Sequence, residues 1–152
     1  MSNFSPLTPV AFACYFVMSA MLAPMGILAP EMARHFDHSL TDVTRTFSAL
    51  TIGNLVGAAC ATVVLTIWNL RSVLLSTYAT LGVSLLLLGS MNQLEYVGAI
   101  LGLVGFGCGV GLAAAAVLIT SRFSASKKAS MLILTDACFS IAGFWFPGLL
   151  PP

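Results

Sequence analysis

Apolar residues run along this chain in long uncharged blocks, separated by short charged breaks. Charge-free runs cover residues 1–30, 46–70, 72–94 and 96–121, and a further apolar segment from 129 to 152 carries one charge, Asp136. The hydrocarbon core of a bilayer, ~30 Å thick, takes about 20 apolar residues in a helix. Each block reaches that length. The pattern therefore predicts an all-α, polytopic membrane helical bundle with five spans, at about 9–32, 46–68, 73–91, 97–121 and 129–150, in one domain covering 1–152.

Small residues and breakers refine the spans. Pro24, Gly26 and Pro30 interrupt the outer part of span 1, where neighbouring helices must satisfy the freed backbone groups. Ala49, Gly53, Gly57 and Ala61 recur every four residues in span 2. Such a seam lets another helix approach closely. Asn54 and Thr51 lie beside it, placed either to line a cavity or to bond to a neighbour. Span 3 is Leu-rich with few polar side chains, as a lipid-facing helix would be. Span 4 holds overlapping G-x-x-x-G pairs at 98/102, 105/109 and 107/111. A dinucleotide loop would need a strand before it and a helix after it; within an apolar block the pairs read as packing positions, with Gly105 and Gly109 facing a partner helix.

Composition fits a membrane protein. The chain is 59% hydrophobic and 7% charged, with a mean hydropathy of +1.00, whereas soluble domains carry about 25% charged residues. The net charge is +1, and no basic tract suggests nucleic acid. Residues 1–30 lack Lys and Arg, and Val10 to Pro30 exceeds the ~7–15-residue core of a signal peptide, so a retained span is expected. With the N-terminus inside, the inner connections hold Arg71, Arg122, Lys127 and Lys128, and the outer ones Arg34 and Arg45. That bias predicts a cytoplasmic N-terminus in an inner (cytoplasmic) membrane.

The candidate chemistry is sparse. A carboxylate at the centre of a span costs about 2.5–3.5 kcal/mol on insertion scales. Asp136 lies roughly 12 Å along the helix from Lys128 at 1.5 Å per residue, too deep for its short side chain to snorkel. It is expected to face the bundle interior or a cavity, with Ser140 on the same face as part of a stripe continuing through Gly143 and Pro147. The connection from Glu31 to Arg45 also contains His35 and His38. Glu31 and His35 are spaced i, i+4 and His35 and His38 i, i+3, but no further strong ligand is spaced to help, and a solvated loop is expected rather than a metal site. Ser39 and Asp42 have the spacing of a capping box. Cys14, Cys60, Cys108 and Cys138 each lie within a span and form no C-x-x-C pair, so they read as small apolar residues. No cofactor is expected, and no soluble-enzyme constellation is present.

The segment Leu134-Thr135-Asp136-Ala137-Cys138-Phe139-Ser140-Ile141-Ala142-Gly143-Phe144-Trp145-Phe146-Pro147 resembles the major facilitator superfamily, most closely its TsgA-type transporters, which are grouped with relatives of the fucose–proton symporter. Leu40 to Gly57 and Leu118-Ile119-Thr120 are also similar, and the resemblance extends over about residues 8–150. It implies twelve spans in two six-helix halves that rock around a midplane site. Helices 1, 2, 4 and 5 of the half would touch the cavity or the other half, with helix 3 outside. The chain departs from the pattern in lacking the basic residue before the span 4 glycines. It also retains only Arg71 of the Gly/Asp/Arg-rich motif between spans 2 and 3.

The expected function is secondary-active transport of a small solute by alternating access, by a partial major facilitator chain with five of six helices of one half. Substrate- or proton-binding candidates are Asp136, Ser140, Asn54 and Thr51; helix-packing candidates are Gly53, Gly57, Gly105 and Gly109. Expected partners are the lipid bilayer, a small solute or protons, and a missing C-terminal half or another copy. The competing expectations are a non-transporting membrane fragment and a small oligomeric multidrug-type transporter. The latter class has four spans with its carboxylate in the first, unlike the arrangement here.

Overall fold

The computed structural model describes residues 7–22 and 25–145, and the described residues form six helices with no strands. They are α1 (Leu7–Leu22), α2 (Met25–Phe36), α3 (Leu40–Ile67), α4 (Leu70–Leu88), α5 (Leu94–Arg122) and α6 (Ala125–Trp145). The all-helical expectation holds. Pro24, Pro147 and the end of the fifth expected span lie outside the described residues.

The five-span count is not supported. Among the described residues three helices, α3, α4 and α5, are long and apolar enough to cross a membrane by length and composition. The described part of the first expected span is α1 and α2, of 16 and 12 residues, and residues 23–24 between them lie outside the described residues. Within α2, Pro30 has no N–H to donate. The fifth expected span is α6, which carries Lys127, Lys128 and Asp136 within its 21 residues.

Local signals set the helix ends. Ser39 is extended (φ −67°, ψ 149°); its hydroxyl accepts the Asp42 N–H at 3.2 Å and donates to Asp42 Oδ2 at 2.6 Å. This cap starts α3 six residues before the apolar stretch does. The chain leaves α2 through Asp37 at φ 53°, with the His38 N–H bonded to the Ala33 carbonyl at 3.1 Å. That is the left-handed C-terminal turn usually given to glycine. Only Trp68 and Asn69 separate α3 from α4.

Helix α5 is the hub. It packs against α3, α4 and α1, and more lightly against α6. Leu101, Val104, Cys108, Ala114, Ala115, Leu118 and Ile119 are buried on it. Its glycines divide between faces. Gly102, Gly105 and Gly109 meet α3, Gly107 meets Leu81 of α4, and Gly111 meets Met18 of α1 and Thr77 of α4. Helix α4 packs through Val73, Leu74, Thr77, Leu81 and Ser84 and leaves Leu75, Val83 and Leu86 exposed. It lies at the edge of the bundle, in keeping with a lipid-facing helix.

Candidate functional site

Among the described residues, α3 and α5 approach each other backbone to backbone. A Cβ placed on Gly53 would overlap the Gly102 carbonyl and lie 3.0 Å from the Phe106 nitrogen; on Gly57 it would overlap the Phe106 carbonyl. From the other side, a Cβ on Gly105 would overlap the Leu50 carbonyl and lie 3.0 Å from the Asn54 nitrogen. On Gly109 it would overlap the Asn54 carbonyl and lie 2.7 Å from the Ala58 nitrogen. The glycine Cα–H groups thus face carbonyls of the opposite helix, alternately from each side, an arrangement suited to weak Cα–H···O contacts. Residue numbers rise together across the seam, from Leu50/Gly105 to Asn54/Gly109, so the two helices are parallel.

The polar candidates fall on two helices. On α3, Asn54 is half-buried at the seam and its Oδ1 is shut off from the surface without a hydrogen-bond partner. Thr51 is exposed, with its hydroxyl 3.5 Å from the Phe47 carbonyl of its own helix. On α6, Asp136 and Ser140 are both exposed, and the Ser140 hydroxyl donates to the Asp136 backbone carbonyl at 2.9 Å. Asp136 and Ser140 therefore share a flank of α6. Among the described residues no hydrogen bond joins this pair to Asn54 or Thr51, and α6 packs on α1 and α5 rather than broadly on α3.

Asp136, expected to face the bundle interior or a cavity, is exposed on α6 among the six described helices. The inward face of α6 is taken by Thr135, which is fully buried, and by Met131, Leu132 and Phe139, which pack on the core. Asp136 follows Thr135 by one residue, and successive helical positions are about 100° apart. The carboxylate is consequently turned out of the contact face of these six helices.

Sequence reasoning passed over Ser19. It is 1% exposed in α1, and its hydroxyl donates to the backbone carbonyl of Phe139 in α6. Its only sequence signal is a hydroxyl inside an otherwise apolar stretch. Ser84 is also fully buried, and its Oγ has no partner.

The expected loop from Glu31 to Arg45 is mostly helical, since only residues 37–39 lie between α2 and α3, and its histidines are placed apart from this chemistry. His35 stacks edge-on against Phe36, with ring centroids 4.9 Å apart. Glu31 pairs with Arg34 on the exposed side of α2. Among the described residues no group of three or more His, Cys, Asp or Glu could hold a metal ion. A polar groove of about 560 Å³ lies where the α2–α3 and α4–α5 connections meet, lined by His38, Asp42, Arg45, Asn92, Gln93 and Glu95 among others.

Comparison with known proteins gives one consistent result. The chain is 28% identical over 146 residues to the protein TsgA homolog of Buchnera aphidicola subsp. Baizongia pistaciae, covering 96% of this chain and 38% of that protein. It is 30% identical over 149 residues to the TsgA homolog of Buchnera aphidicola subsp. Acyrthosiphon pisum, covering 93% and 36%. It is 28% identical over 151 residues to protein TsgA of Escherichia coli O17:K52:H18, covering 96% and 37%. The chain thus spans less than two-fifths of the length of these relatives. No family model matches the chain. No solved structure matches it.

Proposed function

We propose that this chain is part of a solute transporter of the major facilitator type, related to the TsgA proteins. In this reading Asp136 and Ser140 contribute to a translocation pathway completed by further membrane helices. Those helices come from a partner half or from another copy of the chain. The observation that carries the proposal is the carboxylate of Asp136, presented on the outer flank of a helix in an apolar bundle. Exposure to lipid is costly for a carboxylate, whereas a water-filled path between two helical units accommodates it. Similarity to the TsgA proteins over nearly the whole chain supports the same reading.

In this scheme α1 and α2 together form the first crossing and α6 the fifth. The N-terminus lies in the cytoplasm of a cell with this chain in its inner membrane. The two units rock about a central site, and Asp136 contacts the solute or carries a proton between the two faces. The substrate would be a small polar solute recognised through one carboxylate and a few hydroxyl and amide groups.

The test is uptake of radiolabelled sugars, organic cations and amino acids into cells producing the chain, compared with Asp136→Asn. Asn keeps the size and hydrogen bonding of the side chain and removes its ionisation. The expected result is uptake of at least one solute by the parent chain and its loss in Asp136→Asn at equal membrane abundance. Undiminished uptake in the variant would sink the role of Asp136. Uptake of no solute by the parent chain would sink the transporter reading for the chain by itself.

A further inference from the structure

We propose that Ser19 is a positioning residue, whose hydrogen bond to the Phe139 carbonyl sets the rotation of α6 and thereby the direction in which Asp136 and Ser140 are presented. The importance of Asp136 rests on the transporter reading above; the geometry of the anchor does not.

A buried hydroxyl needs an acceptor. Several other hydroxyls in this bundle find one within their own helix, while buried Ser84 has none among the described residues. Ser76 donates to Val73 O, Thr120 to Ala116 O, Thr135 to Leu132 O and Ser140 to Asp136 O. Ser19 instead reaches across from α1 to α6. Its acceptor belongs to Phe139, three residues after Asp136 and one before Ser140.

Phe139 also helps to seat α6, because its side chain packs against two core clusters. Thr135 and Phe139 face inward, while Asp136 and Ser140 follow each by one position, about 100° around the helix. The polar pair therefore sits beside the contact face and not opposite it. A modest rotation of α6 would swing the carboxylate toward α1 or further out. Packing by Met131, Leu132 and Phe139 is apolar and tolerates such sliding, whereas a hydrogen bond to one named carbonyl has a single register.

The experiment uses the full chain in liposomes and a hydrophobic carbodiimide, which modifies carboxyl groups reachable from the membrane phase. The rate of Asp136 modification is read by mass spectrometry of the α6 peptide, with Glu95 as internal reference. Ser19→Ala should change the Asp136 rate by about threefold, the factor that an average interhelical hydrogen bond in a membrane contributes to an equilibrium. The Glu95 rate should stay constant. Ser19→Thr, which keeps the hydroxyl, should restore the parent rate. A Ser19→Ala protein that melts earlier yet modifies Asp136 at the parent rate overturns the proposal, because Ser19 then only packs. Failure of Ser19→Thr to restore the rate overturns it as well. If Ser19→Ala does not accumulate, Ser19→Cys, with its weaker donor, is read in the same assay against the same two outcomes. No uptake is measured, so a chain that transports nothing but passes this test refutes the transporter reading alone.

Discussion

Replacing Gly105 by alanine should destabilise the bundle, while the same change at Gly82 should not. Both glycines are helical, but a Cβ at Gly82 meets nothing within 4 Å. At Gly105 it would overlap the Leu50 carbonyl oxygen and sit 2.9 Å from the Leu50 carbonyl carbon and 3.0 Å from the Asn54 nitrogen. All three atoms belong to helix backbone, which cannot step aside as a side chain does. The helices must therefore part by about an ångström, and a gap of that size forfeits a quarter to a half of each dispersion contact, worth ~0.1–0.2 kcal/mol apiece. If the seam holds as many contacts as one buried leucine, ~50 atom pairs, the loss is about 2–4 kcal/mol. Alanine's better helix propensity returns up to ~1 kcal/mol, leaving a net cost of roughly 1–3 kcal/mol, the range seen for overpacked cores. At Gly82 only the propensity gain remains. The assay is reversible unfolding in mixed micelles by titration with a denaturing detergent, followed by far-UV circular dichroism. Equal midpoints for Gly105→Ala and Gly82→Ala would refute the reasoning, because the seam would then not depend on backbone approach.

Three further outcomes are expected. Asp37 holds a left-handed backbone at φ 53°, which costs an ordinary L-residue roughly 1–2 kcal/mol; Asp37→Gly should raise the unfolding midpoint and Asp37→Val lower it, and the reverse order would contradict the turn. Ser39→Ala removes the α3 cap and should cost about 1 kcal/mol, read in the same titration, with Ser39→Asp retaining most of the stability; no change in either variant would show that the cap is idle. Reporter fusions within residues 122–128 should be active only with a cytoplasmic reporter, and a periplasmic signal there would reverse the proposed orientation.

The helices were more legible in the sequence than their relations. Uncharged blocks located α3, α4 and α5, because their length against the bilayer depends only on composition. Their ends were less visible: expectation placed the second span at 46, whereas the Ser39 cap starts α3 at Leu40. The glycines at 53, 57, 105 and 109 could be picked out by spacing, but which helix each one meets depends on where α5 sits. Gly107 and Gly111 share that spacing and face α4 and α1 instead. Asp136 was conspicuous as a lone charge. Its outward setting was not, because the inward face of α6 is decided by Thr135 and Phe139 together with their partners on α1. Ser19 gave almost no signal, since one serine among apolar residues is common and its acceptor lies 120 residues away.

The parallel course of α3 and α5 has an electrostatic consequence. Each helix carries the equivalent of roughly half a positive charge at its N-terminus and half a negative charge at its C-terminus. Neighbouring helices that run in opposite directions let these dipoles cancel, but two that run together place like ends side by side and repel. A pair that packs backbone against backbone is thus also one whose dipoles oppose the contact. Acidic residues stand at the crowded positive end, Asp42 in the first turn of α3 and Glu95 in the first turn of α5. Both sit at the mouth of the polar groove formed where those two helices begin. The charges at that rim then act as counter-charges that let two parallel helices lie backbone against backbone.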